Sequence, residues 1–403
     1  MSIIAKVDTP MEKCHHKYNG GGEKGFPHPF QPVRLGKFEL AGEVAVGKKG
    51  RHLRSPQMRH IDGGAKSGSG TIVRCATALA SLLGQGLHIT EVRAKRDKPG
   101  LRAQHLKAIS ACQEICGGVV EKAEIGSKEV IYQPGAEIKG GNYVWDIGTA
   151  GSTVMLAQAI LPVACFATTP MTFRVEGGLF QDFAPSAYHM CYVLLPILAR
   201  MGVDAEAKMV RPGYVPRGGG IIEVKVKPVK HGLKPLRLLQ QGQVTEIKGI
   251  AISSHLSKRR VSHRLAQSCQ EILRAEGFEA EIEEVYDTSS IQEGAALAVY
   301  AETDTECIIG SDRAGAPRRM SEEIGKHVAQ SLLEDLRSGA TVDRFVADQL
   351  IVYAALAHGT TEYLVPKMTE HIETNLWLIA EMLRAKGKMQ GNRMKIEGVG
   401  FEK

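Results

Sequence analysis

No two cysteines in this chain form a C-x-x-C pair. The eight present are scattered: Cys14, Cys75, Cys112, Cys116, Cys165, Cys191, Cys269 and Cys307. Such spacing disfavours zinc binding and a disulfide framework. Most of these thiols stand inside apolar segments, as small buried hydrophobes do. The expected compartment is therefore reducing and intracellular: the cytoplasm, or the nucleus in a eukaryote. No stretch reaches the roughly 18 apolar residues that a membrane-spanning helix needs. The longest apolar run, 154–167, is interrupted by Gln158 and Pro162 and reads as a buried helix. "MSIIAKVDTPMEK" lacks the apolar core of a secretory signal.

What is present is length and a pattern. The 403 residues suffice for two or three domains with cores of their own. The net charge of +7 is uneven, since residues 1–60 hold 11 Lys/Arg against 5 Asp/Glu and the rest is nearly neutral. The excess thus falls in a basic, Gly/Pro-spotted extension, 1–57, which reads as solvated chain. A basic surface would point to nucleic acid, but the main body has no such excess.

From residue 58 the chain repeats itself. "MRHIDGGAKSGSGTIVRCATALASLLG" reads as strand, Gly-rich loop and helix, and "YVWDIGTAGSTVMLAQAILPVACF" repeats that order. Each is followed by a second strand–loop–helix and by further strands. A third copy is split, its helices being "TVDRFVADQLIVYAALAHG" and "TEHIETNLWLIAEML" and its last strand "RMKIEGVGF". Between copies two and three, 235–338 reads as a smaller inserted α/β domain. The expected fold is α+β: three repeated strand–helix units over 58–234 and 339–403, plus the insert. Repetition of this kind specifies architecture and leaves the chemistry open.

Four places can carry chemistry. Residues 61–74 form a Gly-rich loop opening a helix, which presents N–H groups to an anion or simply makes a sharp turn. It is not a P-loop, because no GK[ST] follows. Between Arg93 and Arg102 stand Arg93, Lys95, Arg96, Lys98 and Arg102 with a single acid. This loop suits a polyanion, or is a solvated face. Asp348-Gln349 interrupts an apolar helix; a buried Asp needs a partner, which can be a ligand group or the helix N-terminus. His371 shares a helix face with Thr374 and Asn375. It is either a satisfied structural residue or a nucleophile toward phosphorus, with one ring nitrogen held by Thr374 or Asn375.

Six segments in order, "HIDGG…GSGTIVR", "RAKRDKPGLRAQHL", "GTAGSTVMLAQAILP", "RPGYVPRGGG", "VADQLIVYAALA" and "HIETN", resemble the RNA 3′-terminal phosphate cyclase family over about residues 58–403. The resemblance implies a fold related to enolpyruvyl transferases, with ATP as a substrate and RNA 3′-phosphate ends as partner. It implies that His371 takes AMP from ATP, that the AMP passes to the RNA 3′-phosphate, and that a 2′,3′-cyclic phosphate results. It places Gln158, Phe345, Val346, Ala347, Asp348 and Gln349 at the nucleotide. Arg74, Arg93, Arg96 and Gln104 are placed at the phosphates or the RNA.

One departure bears on a divalent metal, Mg or Mn. The family loop reads D-G-x-x-x-E-G-G-G-Q, and Ser67 stands here in place of the glutamate. A hydroxyl is a far weaker Mg²⁺ ligand than a carboxylate, so the ion is expected to sit mainly on ATP phosphates and water. Two other readings compete with an active cyclase. One is a catalytically impaired cyclase-like protein in RNA binding or ribosome assembly, favoured by Ser67 and opposed by His371. The other is an enolpyruvyl transferase, which leaves the "ADQ" and "HIETN" segments without a role.

Overall fold

The computed structural model describes residues 58–182 and 184–403. The extension expected at 1–57 lies outside the described residues. Among them the chain begins with β1 (Arg59–Asp62), α1 (Gly70–Leu83), β2 (Leu87–Thr90), α2 (Ala103–Cys116), β3 (Val119–Glu121) and β4 (Val130–Gln133). These four strands form a sheet in the order β1-β2-β4-β3, with β1 and β2 parallel and the other pairings antiparallel. Next come β5 (Gly141–Asp146), α3 (Thr153–Ala164) and β6 (Met171–Gly177). A helical stretch follows, α4 (Ala187–His189), a π-helical segment (Met190–Leu194) and α5 (Leu195–Arg200), then β7 (Asp204–Arg211) and β8 (Gly220–Lys227). The second sheet has the order β5-β6-β8-β7 and the same parallel–antiparallel pattern.

The short strand β9 (Arg237–Leu238) leaves its neighbours in sequence and pairs, parallel, with β14 (His358–Leu364). Between them lie β10 (Val244–Ser254), α6 (Val261–Ala275), β11 (Glu281–Asp287), β12 (Gly294–Thr303), β13 (Ile308–Ala314), α7 (Ser321–Arg337) and α8 (Val346–Leu356). Strands β10 to β13 make a sheet of their own, β11-β10-β12-β13. After β14 the chain adds α9 (Glu370–Leu383), β15 (Lys386–Gln390) and β16 (Arg393–Val399), giving the sheet β15-β16-β14-β9. The segment expected as an insert from 235 therefore leaves the third sheet only after β9.

Local chemistry explains the helix ends that matter. Ser69 caps α1, its hydroxyl accepting from Thr71 N–H, and Gly84 ends that helix in the left-handed conformation. Thr369 caps α9 by accepting from Ile372 N–H at 3.2 Å. Pro162 lies in the last turn of α3 and has no N–H for the carbonyl of Gln158, four residues back. One large core joins the three similar sheets to α1, α2, α3, α8 and α9. A second core, built on Leu265, Cys269, Leu297, Val328 and Leu332, holds the fourth sheet to α6 and α7.

A buried ion pair joins these cores. Asp343 accepts from Phe345 and Val346 N–H at 2.8 and 2.9 Å, capping α8. Its other oxygen accepts from Gly310 N–H of β13 and meets His189 Nε2, both at 3.0 Å. Burial pulls the His189 imidazole down, but the charges of Asp343, Asp312 and Asp348 outweigh it and hold it above its ordinary value. Burial likewise pushes Asp343 up, yet His189 and the backbone donors hold it below the carboxylate range. The His189 contribution is complete below the ordinary imidazole value and fades as pH rises through the raised one. The Asp343 contribution is present above the ordinary carboxylate value and fades only as pH falls through the lowered one. Urea midpoints should therefore decline above the imidazole range. Asp343→Ala should flatten that decline and cost about 3–5 kcal/mol. Parallel midpoint–pH curves in the two proteins would contradict this.

Candidate active site

Four helices each contribute one stripe to a single cavity of about 290 Å³. From α1 come Thr71, Arg74, Cys75 and Ala78, and from α3 Met155, Gln158, Ala159 and Pro162. Both sets stand at i, i+3, i+4 and i+7, one face of a helix. Phe345 at the start of α8 supplies the same face with Asp348, Gln349, Val352 and Tyr353, and α9 adds His371 and Asn375. The volume is near the lower end for ligand pockets, roughly 300–1,000 Å³. The walls are largely apolar, with a few polar atoms aimed inward.

Those atoms are informative because they lack partners among the described residues. Gln158 Nε2, Gln349 Oε1, Tyr353 Oη and Asn375 Oδ1 are buried with no hydrogen bond. An unmade bond at a buried polar group costs about 1–3 kcal/mol, so four around one cavity point to a polar ligand.

At the other end, His371 Nδ1 lies 3.2 Å from Thr71 Oγ1, and Arg74 Nη2 donates to that oxygen at 3.4 Å. Burial lowers the His371 pKa, and the charges of Arg74 and Arg96 lower it further, which favours the neutral ring. Arg74 is itself almost fully buried and its guanidinium is pulled down by that burial. Burial pushes Asp348 up to about 7, with Arg74 acting against the rise.

The imidazole is held by neither of the two residues expected on its own helix. Thr374 Oγ1 donates to the Glu370 carbonyl at 2.6 Å and stands 2.8 Å from Ser67 Oγ. Asn375 Nδ2 donates to the Asp348 carbonyl at 3.0 Å. Among the described residues neither hydrogen-bonds the ring; Thr71 does. The signal for it was the helical spacing Thr71, Arg74, Cys75, Ala78.

The remaining sequence-selected residues divide. Gln158, Phe345, Asp348, Gln349, Arg74 and His371 share the cavity. Val346 and Ala347 do not: both side chains are fully buried in the core, because they fall off the stripe that begins at Phe345. Arg93 Nη1 donates to the carbonyls of Lys98 and Gly100, both at 2.8 Å, so part of its fork braces its own loop. Arg96 is exposed and reaches His371 through its charge. Gln104 Oε1 accepts from Ser152 N–H at 3.0 Å, tying α2 to the cap of α3.

The two basic-loop segments are packed together. Lys95 Nζ donates to the Lys66 carbonyl at 2.6 Å. Gly68, at φ +50, leaves room for the Lys95 stem, which a Cβ would meet at 2.8 Å. Gly70 faces the buried imidazole of His105, which any side chain would overlap. Ser67 is buried against Thr374 and Ser69 and is not part of the cavity wall. Among the described residues no three His, Cys, Asp or Glu side chains gather to hold a metal ion. Asp348 is the single carboxylate that lines the cavity among the described residues. This donor set does not fit a resident metal centre. No helix among the described residues is long and apolar enough to cross a membrane.

Residues 65–389 match the family model described as RNA 3′-terminal phosphate cyclase. A protein of Methanopyrus kandleri named RNA 3′-terminal phosphate cyclase is 35% identical over 336 residues, covering 82% of this chain and 95% of its own. Proteins of the same name from Pyrococcus furiosus and Hyperthermus butylicus are 36% and 35% identical. They cover 80% and 85% of this chain, and 92% and 98% of their own length.

Proposed function

This chain belongs to the RNA 3′-terminal phosphate cyclase family, and from that premise we propose that it converts RNA 3′-phosphate ends to 2′,3′-cyclic phosphates with ATP. His371 Nε2 attacks the α-phosphorus, and pyrophosphate leaves with the bonding pair. The AMP then passes to a 3′-phosphate oxygen of the RNA. The neighbouring 2′-OH then attacks the RNA 3′-phosphorus, its proton passing to solvent, and the bond to the adenylate oxygen breaks, so that the ring closes and AMP leaves with the pair. The observation that carries this reading is a half-buried imidazole in one cavity with a buried Arg74 and four polar atoms that have no partner among the described residues.

Residue roles follow from position. Arg74 neutralises phosphate charge beside the nucleophile. Gln158 and Gln349 bond the nucleoside, and Phe345 and Asp348 border it; Val346 and Ala347 shape the helix from behind. Arg93, Arg96 and Gln104 serve the RNA end, Arg96 most directly because it is exposed. A divalent ion, Mg or Mn, enters with the ATP phosphates as part of the substrate. The three similar sheets are read as the family's three repeated units, with β10 to α7 as the inserted domain. An intracellular, cytoplasmic setting fits the reducing chemistry expected of buried thiols such as Cys112 and Cys269.

The test is incubation with α-labelled ATP and then with an RNA oligonucleotide ending in 3′-phosphate. A protein–AMP adduct that is acid-labile and base-stable should form and be consumed as the cyclic end appears. RNA binding without any adduct would instead favour the non-catalytic RNA-binding or assembly reading.

A further inference from the structure

A neutral histidine attacks through a nitrogen that carries no proton, so its proton must reside on the other nitrogen. Among the described residues, the ring of His371 has one hydrogen-bond partner on a side chain, Thr71 Oγ1, at its Nδ1. Thr71 is buried on the first turn of α1, 7% exposed. Its position is held by the Ser69 cap below it and by Arg74 one turn above. Thr374 is committed to Glu370 and Ser67, and the Asn375 Nδ2 to the Asp348 carbonyl, while Asn375 Oδ1 makes no hydrogen bond to the ring among the described residues.

We propose that Thr71 is the positioning residue that fixes the tautomer of His371, accepting a hydrogen bond from Nδ1–H so that the lone pair of Nε2 is free for attack. The inference rests on the reading of His371 as the nucleophile. A hydroxyl oxygen has two lone pairs. The Arg74 guanidinium is always a donor and takes one of them; the second is available to Nδ1–H. The reverse polarity, with Thr71 donating to Nδ1, would put the ring proton on Nε2 and block attack. In water the neutral imidazole prefers that unproductive Nε2–H form, so the productive tautomer has to be held.

The proton balance of the cycle then closes without a base acting on the ring. As the Nε2–P bond forms, the Pα–O bond breaks and its pair leaves with pyrophosphate. Nδ1 keeps its proton, and the ring becomes cationic while still bonded to Thr71. A cationic ring is the better leaving group when an RNA phosphate oxygen attacks that phosphorus. Cleavage of the N–P bond returns the pair to Nε2 and restores the neutral Nδ1–H form. Thr71 serves every stage as an acceptor.

The test reads tautomers directly. The full chain is labelled with ¹⁵N-histidine, and the His371 signals are assigned by their loss in His371→Ala. In the unsubstituted protein Nδ1 should show the shift of a protonated nitrogen and Nε2 that of a bare one. Thr71→Val should move the population toward Nε2–H and slow adduct formation by roughly 5- to 10-fold, with little change in the KM for ATP. Thr71→Ser should restore both the shifts and the rate. A proton on Nε2 in the unsubstituted protein, or a tautomer unmoved by Thr71→Val, overturns the proposal. If the valine variant does not fold, the unsubstituted and serine spectra still decide it. An adduct that persists in His371→Ala would defeat the nucleophile reading instead, while the ¹⁵N shifts would still report whether Thr71 holds the ring.

Discussion

His371→Ala protein incubated with α-labelled ATP should carry no labelled AMP, a loss of at least about 10⁴-fold in the rate of adduct formation. Deleting a nucleophile costs on that scale because no neighbouring group replaces it. Cys75 and Asp348 share the cavity, but neither substitutes. Burial pushes the Cys75 thiol up to about 11, which keeps it protonated at neutral pH. Asp348, pushed up to about 7, is divided between its acid and carboxylate forms, and an acyl phosphate from it would be labile to base. The expected histidine adduct is acid-labile and base-stable, so the two are told apart chemically. Stability should hardly change, since His371 sits in the first turn of α9 and alanine suits a helix. Thermal unfolding of both proteins provides that control. A normal yield of acid-labile adduct in the alanine variant would remove His371 from the chemistry.

Arg74→Met should reduce AMP transfer by about 10²- to 10³-fold, the usual cost of removing one charge-stabilising donor from a water-poor site. Methionine keeps much of the buried stem, so packing is largely preserved. A second effect separates this residue from a merely structural one. Burial is the main cause of the low His371 pKa, with Arg74 next and Arg96 after it. Removing the Arg74 charge lets the imidazole rise toward its ordinary value. A higher pKa means more protonated ring at a given pH, so the acid limb of the adduct-formation profile should shift to higher pH. Asp348 loses a compensating cation at the same time and should rise above about 7. An unchanged acid limb, with only the rate reduced, would mean that Arg74 does not act on the nucleophile electrically.

How much of this was legible in the sequence varies by element. The stretch "VTEIKGIAISS" coincides with β10, and Thr369 caps α9 as its hydroxyl and position suggest. Both are local signals: alternation that suits a pleated strand, and a hydroxyl preceding an apolar period. Strand β13, "IIGSDRA", carries no comparable run, and its half-buried Asp312 is explained by Ser186 N–H, 126 residues away. The π-helical segment Met190–Leu194 likewise has no local signature. The order of motifs revealed the family, and the spacing of residues on α1, α3 and α8 held the cavity stripes in plain view. Phe345 to Gln349 are contiguous in sequence, but the helix turns Val346 and Ala347 away from what Phe345, Asp348 and Gln349 face.

By itself, then, the sequence determined the helices, most strands and the family, and singled out His371 as the candidate imidazole, because each rests on a period or a motif a few residues long. Only the tertiary structure decided which stripe faces which. Thr71 meets His371 across 300 residues of chain, and Ser67 meets Thr374 across 307. Contacts at such separation follow from how three sheets and their helices pack, and no local pattern encodes them. That packing makes Ser67, which stands where the family loop has a glutamate, a joint between a loop and α9. It also passed the ring of His371 from its helix neighbours to a threonine on the first helix.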